Sequence, residues 1–111
     1  MLDKPNSSTF ISFNKEIRDF ITRRFSTTDA NWQNGNCYWF ARILADRFDL
    51  EIYYNPIIGH FAAGYLDECE NKWLFDSCGE VNEYIKQYIP LWSIEQEDPL
   101  WYERLKQYCI D

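Results

Sequence analysis

Residues 59–79 read GHFAAGYLDECENKWLFDSCG, two runs rich in β-forming residues around the polar centre DECEN at 67–71. That alternation and the central turn-formers predict an antiparallel hairpin. Its register decides which side chains meet. If the chain turns about Cys69, residue 78 lies opposite His60, and Asp76 stands one diagonal step away on the same face, about 7 Å off. A shift of half a residue sends His60 and Asp76 to opposite faces, because side chains alternate strictly along a strand. Pairing of the two therefore requires an odd-numbered loop or a compensating bulge.

The segments before the hairpin change character. LEIYY at 50–54 alternates and is rich in β-formers, and Asn55-Pro56 breaks it. Upstream, CYWFARILADRF at 37–48 places Cys37, Phe40, Ala41, Leu44 and Phe48 on one helical face. Trp39 and Ile43 make a second face apolar, as expected of a helix central in its domain. Asn36 is positioned to cap it. STTDANWQNGN at 26–36 reads as a connecting loop. ISFNKEIRDFITRRF at 11–25 sets Phe13, Ile17, Phe20 and Ile21 on one side, an amphipathic helix with Ser12 as its cap, and residues 1–9 read as a loose leader.

Beyond Gly79 the pattern is ambiguous. VNEYIKQYI at 81–89 has helical spacing and strand composition together. The last element is clearer: Asp98 as N-cap, Pro99 at the first helical position, then a stripe through Trp101, Leu105 and Tyr108. The expectation is one α+β domain over residues 1–111, with N-terminal helices, a central Cys-bearing helix packed on a small antiparallel sheet, and a C-terminal helix.

Composition bounds the function. Of 111 residues, 46% are hydrophobic and 19% aromatic, which suits a packed globule and not a disordered chain. The formal net charge of -7 argues against nucleic acid, whose binding is built from clustered Lys and Arg. An acidic surface also suits a basic partner. No apolar run has the form of a signal or the length of a membrane span, so the expected setting is cytoplasmic, with no membrane contact and with the cysteines as thiols. Cys37, Cys69, Cys78 and Cys109 are scattered with no close C-x-x-C pair, so neither a metal nor a cofactor is expected.

Three residues carry candidate chemistry. Cys37 opens its helix, where unsatisfied N–H groups and the helix dipole favour a thiolate. A cysteine there also packs simply as a small hydrophobe. His60 is the sole histidine, and so the natural base near neutral pH; on a sheet it can equally be a satisfied structural residue. Asp76 ends the apolar run WLF, an unusual place for a carboxylate, although aspartate commonly ends a strand into a turn.

NGNCYWFA at 34–41, with small or polar residues before the cysteine and aromatics after it, resembles the cysteine-helix motif of the papain-like superfamily. GHFAAGYLDECENKWLFDSCG is similar to the His strand, turn and Asp strand of its transglutaminase-like branch, and small bacterial cysteine peptidases share the layout. The resemblance covers about residues 32 to 81. It implies a Cys37–His60–Asp76 triad for acyl transfer on a peptide or protein amide: cysteine peptidase, amidase, deamidase or transglutaminase-like. It also implies an oxyanion site made by the Cys37 N–H and a side-chain amide, for which Gln33 is the candidate and Asn31 and Asn34 are rivals. Trp32 and Trp39 either wall the cleft or simply pack. The chain is shorter than a full papain-type peptidase, and nothing after Gly79 resembles a binding loop. A different reading is therefore kept: a non-catalytic acidic binding or inhibitor module on a degenerate papain-like fold, of the kind carried by phages or mobile elements, presenting Asp67, Glu68 and Glu70.

Overall fold

The computed structural model describes residues 7–25 and 37–105. Two helices, α1 (Ser7–Phe25) and α2 (Cys37–Phe48), precede strands β1 (Glu51–Asn55), β2 (His60–Leu66), β3 (Lys72–Asp76) and β4 (Gly79–Glu80). A 3-10 turn at Ile85–Gln87 leads to β5 (Ile89–Pro90), then come α3 (Leu91–Glu97) and α4 (Pro99–Leu105). The fold is α+β, with the sheet ordered β4-β3-β2-β1-β5 and every neighbour antiparallel.

The register of β2 against β3 follows from Ala63↔Phe75 and Leu66↔Lys72, so the hairpin turns about Cys69 with the five-residue loop 67–71. Asp67 fixes that loop. Its carboxylate accepts the Cys69 and Asn71 backbone N–H groups at 2.8 and 2.9 Å, the Asn71 amide at 3.2 Å and the Trp73 indole N–H at 3.0 Å. These donors hold its carboxyl below the usual aspartate range, the indole contributing most. Of the three carboxylates read as partner-facing, Asp67 is thus committed to the turn, while Glu68 and Glu70 are exposed. Gly64 answers a close approach, since a Cβ there would run into the Trp73 carbonyl of the facing strand.

Alternation along the strands makes two unlike faces. One carries Tyr54, Phe61, Ala63 and Phe75, packed under α1 and α2 with Ile17, Phe40, Leu44 and Ile94. The other carries Tyr53, Ala62 and Leu74, covered by Tyr88 with Val81 and Ile85 beside it. Lys72 pins the covering segment by donating to the Tyr88 carbonyl at 2.6 Å and the Ile85 carbonyl at 3.5 Å. On the helical side, Phe13, Phe20 and Phe48 meet edge to face, and the Tyr65 hydroxyl donates to the buried Asn14 Oδ1 at 2.7 Å.

Several local expectations are corrected. α1 begins at Ser7, so residues 7–9 are helical and Ser12 lies inside the helix, not at its cap. Once a helix is anchored by buried side chains such as Ile17 and Ile21, each added residue gains a hydrogen bond, and polar residues upstream continue it. The second apolar face of α2 is not covered: Trp39 is 47% and Ile43 37% exposed. VNEYIKQYI is neither a helix nor a long strand. Tyr84 takes a left-handed conformation (φ 58°), which interrupts any continuous element. The closing element is a pair of short helices, and α3, starting directly after Pro90, was not anticipated. Asp98 Oδ1 accepts the Trp101 N–H at 3.2 Å, and Pro99 opens α4. Leu105 is buried and Trp101 half-buried, as the stripe requires. Residues 1–6, Asn36, Tyr108 and Cys109 fall outside the described residues. Among the described residues no helix is long and apolar enough to cross a membrane.

Candidate active site

The short connection from β1 to β2 fixes where His60 stands. Asn55 ends β1 with its Oδ1 accepting the Ile57 N–H at 2.9 Å, and its carbonyl accepts the Gly59 N–H at 2.8 Å. This is the local turn an asparagine makes before proline, and Gly59 completes it at φ 66°. His60 is thereby the first residue of β2, directly opposite Asn55 and on the face away from the helices. Asp76, at the end of β3, shares that face because the hairpin loop is odd-numbered.

The imidazole and the carboxylate meet. His60 Nε2 lies 3.0 Å from Asp76 Oδ2, with the two side chains 10% and 16% exposed. An ionised carboxylate only accepts, so Nε2 carries the proton of this bond. The other carboxylate oxygen, Oδ1, accepts the Cys78 N–H at 2.9 Å, which holds the group in one orientation. With Nε2 so used, Nδ1 is the nitrogen left for the thiol of Cys37, which lies near enough to the ring for each to shift the other's titration. Cys37 opens α2, half-buried against the helical core, and so reaches the ring from the opposite layer around the end of β2.

The electrostatics follow from these contacts. The Asp76 hydrogen bond, then the neighbouring Cys37 thiol, raise the His60 pKa from 6.5 to about 9 against the opposing effect of burial. Burial pushes the Cys37 thiol up. The neighbouring His60 ring, the Phe61 backbone N–H, the imidazolium charge and its own N–H outweigh that, leaving it below the ordinary 9.0. The two shifts favour the same state, thiolate beside imidazolium.

Two further residues frame the pair. Tyr88 is 2% exposed, and burial foremost, with the Asp76 charge next, pushes its phenol up to about 12. The side-chain amide of Asn55 acts in the other direction on the same hydroxyl. Asn55 is wholly buried, and its Nδ2 makes no hydrogen bond of good geometry among the described residues. Sequence reasoning missed both. Asn55 had a usable signal, a polar residue continuing the inward alternation of EIYYN. Tyr88 had none, because its segment has no regular period.

A cavity of about 470 Å³ opens beside His60 and Asp76, lined by both with Tyr88 and residues of the segment 80–84, and Cys37 is not in its lining. Another hollow, of about 330 Å³ between α2 and α3, contains none of the three candidate residues. Trp39 packs edge-on against Tyr38, with ring centroids 5.1 Å apart, and does not line the cavity. Gln33, with its rivals Asn31 and Asn34, and Trp32 lie outside the described residues. None of Cys37, Cys69 and Cys78 is in a disulfide. Among the described residues no group of three or more His, Cys, Asp and Glu side chains is arranged to hold a metal ion. Comparison with protein-family models, curated proteins and solved structures found no match.

Proposed function

We propose that this protein is a thiol-dependent acyl-transfer enzyme acting on a peptide or protein amide, with Cys37, His60 and Asp76 as its triad. The observation that carries this reading is the His60 imidazole bonded to Asp76, with Nε2 3.0 Å from Oδ2, and near enough to the Cys37 thiol for ring and thiol to shift each other's titration. It is also the arrangement that the resemblance to papain-like proteins implies. In the first step the Cys37 thiolate attacks the amide carbonyl carbon, and the His60 imidazolium gives its proton to the departing amine as the C–N bond breaks. In the second, His60 takes a proton from water or another nucleophile, which attacks the thioester and regenerates the thiolate. Asp76 keeps the ring turned with Nδ1 towards sulfur and stabilises the imidazolium. The Cys37 N–H, at the head of a twelve-residue helix, is one donor for the oxyanion. The site works in a reducing compartment such as the cytoplasm, where Cys37 stays unoxidised.

The test uses p-nitrophenyl acetate as the acyl donor, with intact-mass detection. Wild-type protein is expected to gain one acetyl group at Cys37 with a burst of nitrophenol, and Cys37→Ala to gain none while keeping its circular dichroism spectrum. His60→Ala should slow acylation by about 10²- to 10⁴-fold, the range for losing an acid–base group. Acetylation of exposed Cys69 at the same rate as Cys37 would sink the reading.

A further inference from the structure

The cavity beside His60 and Asp76 has a chemical bias. Its described lining includes three carboxylates, Asp76, Glu80 and Glu83, and no lysine or arginine. Asp76 is engaged with His60, and Glu80 takes a partly exposed bond from Arg18 Nη1 at 3.3 Å. Glu83 is exposed and has no ion-pair partner among the described residues. Around these carboxylates stand apolar surfaces. Ile58, 52% exposed, belongs to the loop that precedes His60, and Tyr84, 56% exposed, lines the same cavity. Tyr84 holds a left-handed backbone that non-glycine residues seldom take, with φ 58°. Such strain costs free energy and persists only where the surroundings enforce it, which marks the cavity rim as a segment held in place.

A negative pocket with an aromatic ring at its mouth and a hydrocarbon wall fits one kind of side chain, a long aliphatic stem ending in a cation. At about 470 Å³ the cavity has the size of an ordinary small-ligand site. The cavity adjoins the imidazole on its Asp76 side, and Cys37 is not in its lining. We infer that the cavity between β2, β3 and the segment 80–84 binds a lysine or arginine side chain of the substrate peptide. This inference rests on the acyl-transfer reading for the word substrate, while the binding preference itself is independent of any turnover.

That independence sets the experiment. ¹⁵N-labelled full-length protein is titrated with the acetylated, amidated tripeptides Ala-Lys-Ala and Ala-Glu-Ala. The lysine peptide should shift the backbone amides of Val81, Asn82 and Tyr84 saturably and bind roughly three- to tenfold tighter than the glutamate peptide, the scale of one exposed ion pair with a cation–π contact. Glu83→Gln should erase most of that preference. Asn82→Lys, an exposed substitution that sets a competing cation in the cavity, should abolish it; unchanged spectra elsewhere report that both variants fold. Equal binding of the two peptides, shifts confined to other surfaces, no shifts at all, or a preference untouched by both substitutions would overturn the inference. Acetylation of Cys37 by p-nitrophenyl acetate would survive that failure. Conversely, an unreactive Cys37 would remove the acyl-transfer reading while leaving the titration as it stands.

Discussion

The two faces of the sheet are built from alternate residues of the same strands and differ in almost everything else. Phe61, Ala63 and Phe75 look into a large apolar core beneath two helices. Their neighbours His60, Ala62 and Asp76 look into a thin layer formed by Tyr88, Val81 and Ile85, with a cavity beside it. The first face supplies burial, the dominant favourable term in folding. The second holds two of the buried polar groups, His60 against Asp76 at the end of β3 and Asn55 with its Oδ1 on the Ile57 N–H of the turn. The candidate chemistry sits where the faces meet, because Cys37 comes from the helical layer and His60 from the other. The difference yields a rule that can be broken: changes on the helical face should cost stability and spare the chemistry, and changes on the other face should do the reverse.

The largest effect is expected at Asp76. Asp76→Asn keeps an oxygen for the Cys78 N–H but removes the charge that holds His60 protonated, so acylation should fall by about 10²- to 10⁴-fold. The rate of iodoacetamide labelling at Cys37, followed against pH, should move up towards an ordinary thiol titration near 9.0. The sign of the stability effect is also fixed. His60 is raised from 6.5 to about 9, so its contribution is fully present below pH 6.5 and is lost as pH rises through about 9. Denaturant midpoints of wild type and Asp76→Asn should therefore differ more at pH 6 than at pH 10. An unchanged labelling profile would show that Asp76 does not act on the thiol through the ring.

Next in size is Phe75, fully buried on the helical face and one residue from Asp76. Phe75→Ala should cost about 3–5 kcal/mol of unfolding free energy. Should that variant fail to fold, Phe75→Leu is expected to cost under about 1.5 kcal/mol. In either variant the acylation rate per folded molecule should stay within about twofold of wild type, since independent sites act nearly additively. A tenfold fall would mean that the two faces are coupled and the rule fails.

How much of this was legible beforehand depends on whether the signal was periodic. The β-rich runs GHFAAGYL and KWLFD around DECEN were enough to show the hairpin, and they left as a condition the odd-numbered loop that joins His60 to Asp76, which the five-residue loop about Cys69 meets. The buried stripe of α2 was legible for the same reason, at helical period. Ser12 misled because a serine just ahead of an apolar stripe looks like a cap, whereas an anchored helix simply runs on through it. VNEYIKQYI could not be assigned because tertiary contacts decide it: Lys72 holds two of its carbonyls and Tyr84 breaks its backbone. Neither of those is encoded in local propensity. The cavity wall that this segment makes was invisible for the same reason.

The smallest effect tests the least conspicuous member of the polar face. Tyr88 keeps its proton up to about 12, so at any working pH it presents a neutral hydroxyl near the Asp76 and Cys37 charges. The nearby Asn55 Nδ2 lacks a well-formed hydrogen bond even with that hydroxyl present, so deleting the oxygen leaves little to lose. Tyr88→Phe should change unfolding free energy by less than about 1 kcal/mol, the net worth of a weak intramolecular hydrogen bond. It should move the Cys37 labelling midpoint by less than about one pH unit, because a dipole perturbs a neighbouring titration far less than a full charge does. The covering layer would otherwise stay as it is, since the ring and its Lys72-held carbonyl remain. A loss of acylation approaching that of Asp76→Asn would instead make the phenol a participant in proton transfer, and the polar face would then contain three acting groups around the sulfur and not two.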